Sequence, residues 1–271
     1  MSTLGWIVLA TVAGGLLSVL FAALFLLTPE RARAALLPHF VSFATGALLG
    51  AALLSLLPEA IKMAGRGGED RIGLALVAGI LLFFVLEKWV LWRHSHDHDG
   101  HDHGGHQHAG HDHGGRNSAH AISRHDHAAA KLILIGDGIH NALDGVAIAA
   151  AFMSGTEVGI ATSVAVIAHE VPHEVGAFAV LLNGGMSRAR ALAFNLLSGL
   201  TAVAGGVIAY FALGHALGFL PSAIALAAAS LLYVAVADLI PGLHRQVAAV
   251  AGLFQVVLIG VGVALIFYLA D

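Results

Sequence analysis

Residues 136–152 read GDGIHNALDGVAIAAAF, and residues 165–182 read AVIAHEVPHEVGAFAVLL. Each stretch is apolar enough for a membrane helix, yet each carries charged and imidazole side chains at helical spacing near its middle. Burying one ionisable group deep in hydrocarbon costs roughly 2.5 to 3.5 kcal/mol even on the lenient insertion scale, so such groups mark functional positions. In the first stretch Asp137, His140 and Asp144 stand at i, i+3 and i+7 on one face, with Asn141 beside them. In the second, His169 and His173 are four apart, and Glu170 and Glu174 repeat that spacing one position round. At about 1.5 Å of rise per residue, His140 and His169 both fall near mid-span. Two neighbouring helices therefore bring three imidazoles, a carboxamide and at least two carboxylates to the bilayer midplane. Pro172 cannot donate to the carbonyl of Ala168, and its ring is expected to open that turn and favour an ion-sized polar cavity.

The rest of the chain makes hydrocarbon the solvent to assume. Of 271 residues, 58% are hydrophobic and 11% charged, far from the balance of a soluble domain. A membrane helix needs about 20 apolar residues. Breaking the chain at turn-formers and charges gives eight runs, at approximately 4–27, 40–61, 72–92, 131–152, 158–182, 190–213, 221–240 and 248–269. The expected fold is an all-α polytopic membrane protein with eight transmembrane helices. The first run has no basic n-region before it and no small-residue cleavage site, so it is read as a retained helix. The odd-numbered connections and their helix ends hold ten of the 13 Lys and Arg, the even-numbered ones Lys62, Arg66 and Arg71 only. The positive-inside rule then puts both termini outside. A formal charge of −4 leaves no basic surface for a nucleic acid, and with no cysteine, thiolate ligands and disulfides are excluded. Gly46 with Gly50, Gly205 with Gly206, and Gly260 with Gly262 are expected to let helices approach closely.

Three segments follow: residues 1–92 with helices one to three, residues 93–130 as a polar connection, and residues 131–271 with helices four to eight. The connection reads HSHDHDGHDHGGHQHAGHDHGG from His94 and holds twelve of the 18 histidines between residues 94 and 127. It is too polar and Gly-rich to pack, so it is expected to be disordered and cytoplasmic. Its neutral imidazoles suit weak, multisite binding or sensing of a transition metal; the bland alternative is a solvated linker. Elsewhere the bland reading prevails: His39, His215, His244, Glu59, Glu87 and Lys88 sit near helix ends, where snorkelling accounts for them. Asp238, near the inner end of the seventh helix, is the one terminal acid worth testing. Asp137 and Glu174 are open between pathway residues and hydrated or structural ones.

With these residues in view, the chain resembles the ZIP family of divalent-metal transporters, in the branch with a His-rich cytoplasmic loop. The resemblance rests on HNALDG from His140 and HEVPHE from His169, with LLPEA and LEKWV as weaker supporting matches, and it covers nearly the whole chain. It implies that His140, Asp144, His169 and His173 hold the transported ion, and that Asn141 and Glu170, bridged by Asp144, form a second adjacent site. It also implies a homodimer and movement of metal toward the cytoplasm. The branch usually continues with an acid where this chain has Ala177, and commonly has a histidine where this chain has Ser55; the sixth helix offers no acid.

Mixed imidazole and carboxylate ligands suit Zn2+ best, with Fe2+, Mn2+, Co2+, Ni2+ and Cd2+ as further cargo. The expected partners are these ions, the lipid bilayer and a second copy of the chain, and the expected residence is a bacterial cytoplasmic membrane. No enzymatic activity is expected. Two rivals share fragments. His169 to His173 fits HExxH, the zinc and general-base motif of metalloproteases, but the accompanying LDG at Leu143 precedes it and Pro172 interrupts its helix. A cation diffusion facilitator would use HxxxD helices, but with six spans and a cytoplasmic C-terminal domain that the runs counted here do not match.

Overall fold

The computed structural model describes residues 1–96, 118–244 and 249–271, and among them there is no strand. Eight helical rods follow one another: α1 (Thr3–Phe25), α2 (Glu30–Ala64), α3 (Glu69–His96), α4 (Ser118–Ser154), α5 (Thr156–Asn183), α6 (Arg188–Gly214), α7 (Leu217–His244) and α8 (Ala249–Ala270). Seven of them are long and apolar enough to cross a membrane. The eighth is α4, whose Asp137, His140, Asn141 and Asp144 dilute its apolar character. Large apolar side chains such as Leu74, Ile208, Val256 and Phe267 are exposed on the outside of the bundle, an exterior that only hydrocarbon accommodates. The molecule is an all-α polytopic integral membrane protein.

Local chemistry sets the rod ends. The Ser2 hydroxyl accepts from the Gly5 N–H at 3.1 Å to cap α1, and the Ser187 hydroxyl accepts from the Arg190 N–H at 3.4 Å to cap α6. Gly185, at φ 79°, turns the chain between α5 and α6, in a region that only glycine enters without strain.

The rods fall into two groups, α1, α4, α5 and α6 in one and α2, α3, α7 and α8 in the other. Glycines let backbones meet inside each group. A Cβ on Gly145 of α4 would stand 1.9 Å from the Ala202 carbonyl oxygen of α6, and one on Gly205 of α6 2.2 Å from that of Ala142. In the second group a Cβ on Gly46 of α2 would stand 2.0 Å from the Ile259 carbonyl oxygen of α8. Every described glycine whose added Cβ would come within 3.0 Å of a different helix does so inside a group. The groups meet through side chains instead: Leu48, Ala52 and Leu56 of α2 share one buried apolar cluster with Ala161, Ala165 and Val166 of α5. Of the glycines expected at helix contacts, Gly260 is the exception, with open space where its Cβ would be.

The rods run longer than the apolar runs. α2 begins at Glu30, with Pro38 inside it, and α4 at Ser118, because helical hydrogen bonding need not stop where hydrocarbon does. Helix thus enters both ends of the stretch read as an unstructured connection, and its central histidines, His98 to His113, lie outside the described residues. α5 stays α-helical through Pro172. The departures from α geometry are elsewhere, as π turns at Ala51–Leu56 in α2 and Val234–Leu239 in α7, the latter containing Asp238.

Candidate metal site

Packing of α4 on α6 and α5 places the polar side chains. Thr201 of α6 donates to the Gly138 carbonyl at 2.7 Å, and the Asn141 amide donates to the Ser198 hydroxyl at 3.3 Å and to the Asp137 carbonyl at 3.2 Å. These bonds hold one face of α4 against α6 and turn the next face, with His140 and Asp144, toward α5. There His169 sits with Nδ1 3.4 Å from the Ala165 carbonyl. A proton on Nδ1 satisfies that carbonyl and leaves the Nε2 lone pair free.

The donor atoms converge. His140 Nε2 lies 3.2 Å from His169 Nε2, 3.4 Å from Glu170 Oε1 and 3.9 Å from Asp144 Oδ2. His169 Nε2 lies 3.3 Å from Asp144 Oδ2 and 3.6 Å from Glu170 Oε1. One ligand atom from each of the four residues falls within 4.8 Å of every other. Tetrahedral zinc with bonds of about 2.0 to 2.1 Å sets its donors about 3.3 Å apart, close to the three shortest of these edges. The charges fit as well. Asp144 and Glu170 are buried, and Asp144 Oδ2 and both Glu170 oxygens have no hydrogen-bond partner. Two carboxylates buried side by side away from water are costly alone and are compensated by a dication.

The other two sequence candidates sit beside this group. His173 packs its ring against that of His140, centroids 4.8 Å apart, but turns Nδ1 to Asp137 Oδ1 at 3.3 Å. Asn141 points its amide nitrogen at α6. Glu174 is fully buried, and neither of its oxygens has a hydrogen-bond partner. Ser198 and Thr201 were missed at the level of sequence, although with Asn195 they repeat every three residues through an apolar run, a polar stripe that marks the face of α6 meeting α4.

Access is one-sided. The His140 side chain is 20% exposed, against 1% for His169. It lines a cavity of about 270 Å³ shared with His173, Gly136, Glu87, Tyr233 and Asp238. On the wall of that cavity the Tyr233 hydroxyl of α7 donates to the Glu87 carboxylate of α3. Glu87, read as a snorkelling end residue, and Asp238 therefore both face the route to the site.

The family profile described as ZIP zinc transporter matches residues 3–270. "Zinc transporter ZIP4" of Mus musculus is 35% identical over 252 residues, covering 75% of this chain and 38% of that protein. "Zinc transporter zipt-7.1" of Caenorhabditis briggsae is 28% identical over 272 residues, covering 86% and 69%. "Zinc transporter ZIP10" of Danio rerio is 50% identical over 113 residues, covering 41% and 13%. The chain thus spans well under half the length of the ZIP4 and ZIP10 proteins. With a family match running from the first helix to the last, and with HNALDG and HEVPHE meeting at one buried cage, the chain belongs to the ZIP zinc transporter family.

Proposed function

We propose that this chain moves zinc across the membrane toward the cytoplasm through the cage on α4 and α5. The observation that carries the reading is the donor spacing: one atom each of His140, Asp144, His169 and Glu170 lies within 4.8 Å of every other, with the shortest edges close to those of tetrahedral zinc. An arriving hydrated ion exchanges its waters for these side chains. His173 takes part from the inner side, against His140. Asn141 and Glu170, with Asp144 as bridge, form the second adjacent site. The ion leaves through the cavity toward Glu87 and Asp238, two acids that attract it out of the cage. The excess of Arg and Lys in the odd-numbered connections supports an orientation with both termini outside and that cavity facing the cytoplasm.

Alternating access needs one body to move against another. Backbones that touch at glycines within each group, and side-chain contact between groups, support movement of α1, α4, α5 and α6 together against the other four. Family membership favours transport over proteolysis, with His169, Glu170 and His173 serving coordination and not general-base chemistry. Fe2+, Mn2+, Co2+, Ni2+ and Cd2+ are proposed as weaker competing cargo, since mixed nitrogen and oxygen donors admit them. The working form is a homodimer in a bacterial cytoplasmic membrane, which cross-linking in native membranes and fractionation of the source cells test. We assign the connection of residues 93–130 to buffering of released ions.

The test is radiolabelled zinc flux into liposomes holding the purified chain, with other divalent ions as competitors. A control without protein that fills as fast ends the reading. In the same assay a Gly/Ser linker in place of residues 94–127, with Arg93 and Lys131 kept, should preserve flux with apparent affinity changed at most several-fold, because the proposed cage is built from α4 and α5 without those histidines. Complete loss in a correctly inserted replacement would place them in the obligatory route. Asp144→Asn keeps shape and removes charge from the residue proposed to bridge the two sites. Zinc titration should then show the second ion weakened more than the first, and equal weakening would argue against two ions.

A further inference from the structure

On the side of the molecule where α1, α5 and α6 meet the start of α2 lies a second cavity, of about 320 Å³, unconnected with the cage. Its walls are apolar, made by Leu20, Leu24 and Leu27 of α1 and the following turn, Phe178 and Leu182 of α5, and Leu192 of α6. Leu20, Leu24 and Leu27 are 52%, 56% and 68% exposed, so the groove opens sideways to the membrane and not into the protein. Only two lining side chains are charged, and both are arginines: Arg33 near the start of α2 and Arg188 at the start of α6. Among the described residues neither guanidinium lies within ion-pair distance of a carboxylate. Arg33 is not adrift, because its Nη1 donates to the Leu26 carbonyl at 3.0 Å. That bond fixes the guanidinium at the mouth of the groove and leaves most of its five N–H donors for a ligand.

We propose that this groove seats one anionic phospholipid of the inner leaflet, its phosphate held between Arg33 and Arg188 and an acyl chain laid along the leucines of α1. A guanidinium fork matches phosphate oxygens, and a basic pocket between helices at the membrane surface is suited to an anionic headgroup. The depth of the groove is purely apolar, so a lipid fills both parts of it where a soluble anion fills one. The assignment to the inner leaflet rests on the orientation proposed above; binding itself does not. Because the groove touches α1, α5 and α6 of one group and α2 of the other, the bound lipid lies across the seam along which the two groups are proposed to move.

The test uses the purified full chain in detergent and native mass spectrometry, with phosphatidylglycerol and phosphatidylcholine of the same acyl chains as probes. Phosphatidylglycerol is expected to stay bound at roughly tenfold lower concentration than phosphatidylcholine. Replacing both arginines, Arg33→Gln with Arg188→Gln, should abolish that preference. Leu24→Trp, which fills the apolar wall and leaves both charges, should weaken both lipids several-fold; should the double variant fail to fold, this variant and Arg188→Gln alone decide the matter. Equal binding of the two lipids by the wild type, or a preference that survives the arginine changes, overturns the proposal. So does displacement of the lipid by glycerol phosphate at similar concentration, which would make this a free-anion site. A lipid-free dimer whose groove is covered by the second copy also overturns it. None of these outcomes depends on zinc transport, so failure here and failure of the cage reading remain separable.

Discussion

Replacing His140 with alanine should reduce zinc flux to the protein-free background while the chain still purifies as a folded membrane protein. His140, like His169, lies beside all three other cage residues, and it is the one partly exposed member. Removing it takes away a ligand and also the cage side chain that lines the exit cavity. Outer partners of metal ligands are worth about 10- to 100-fold in affinity, so loss of a direct ligand is expected to exceed 100-fold. Folding should survive, because a ring already lining a cavity leaves no new void in the packed core.

His173→Ala should cost less, about tenfold in apparent affinity. Its Nδ1 faces Asp137 at 3.3 Å and it meets the cage chiefly through the His140 ring, so it acts mainly by positioning that ring. Liposome flux and zinc titration of the two purified variants make the comparison. Undiminished flux in His140→Ala ends the cage reading, and equal losses in both variants would place His173 among the direct ligands.

The different settings of His169, within the donor group, and His173, turned to Asp137, show where sequence spacing stops being informative. Positions i and i+4 put His169 and His173 on one face of α5, but a face of a helix is wider than an ion. Which of the two points at the cage is decided by the rotation of α5 against α4, and that rotation is set by α6. The bonds from Asn141 to Ser198 and from Thr201 to Gly138 join residues 57 and 63 positions apart, beyond the reach of any local pattern. The eight rods were legible because hydrocarbon imposes length and composition on each separately. The π turns were not: AALLSL and VAVADL are unremarkable apolar text, and the extra residue in each turn is placed by the helices packed around it. The link between Glu87 and Tyr233 was hidden for the same reason. Glu87 looks like an ordinary end residue and Tyr233 like an ordinary aromatic within its helix, and only the packing of α3 on α7 brings them together on the wall of the cavity.

That packing of backbone on backbone predicts the largest effect on the fold, at Gly145. Its neighbour in sequence, Asp144, belongs to the cage, and its Cα faces α6 so closely that an alanine Cβ would stand 1.9 Å from the Ala202 carbonyl oxygen and 2.8 Å from the Gly206 nitrogen. Both obstacles are main chain within a helix, which cannot swing aside as a side chain does. Gly145→Ala must therefore push α4 off α6. The expected cost is about 3 kcal/mol, the upper end for overpacking, or a melting temperature on the order of 10 °C lower in detergent. Flux should fall with it, since Asp144 moves with the displaced turn. Gly138→Ala, two turns earlier on the same helix, is the matched control. Its added Cβ would meet only the Thr201 methyl carbon at 3.7 Å, an ordinary contact, and alanine favours helix over glycine by roughly 1 kcal/mol. This variant should melt at or slightly above the wild-type temperature. Thermal denaturation of the two variants side by side, followed by size-exclusion of the soluble fraction, separates the cases. If Gly145→Ala melts with Gly138→Ala, the two helices do not touch at their backbones, and the reading of α1, α4, α5 and α6 as a body locked by its glycines fails with it.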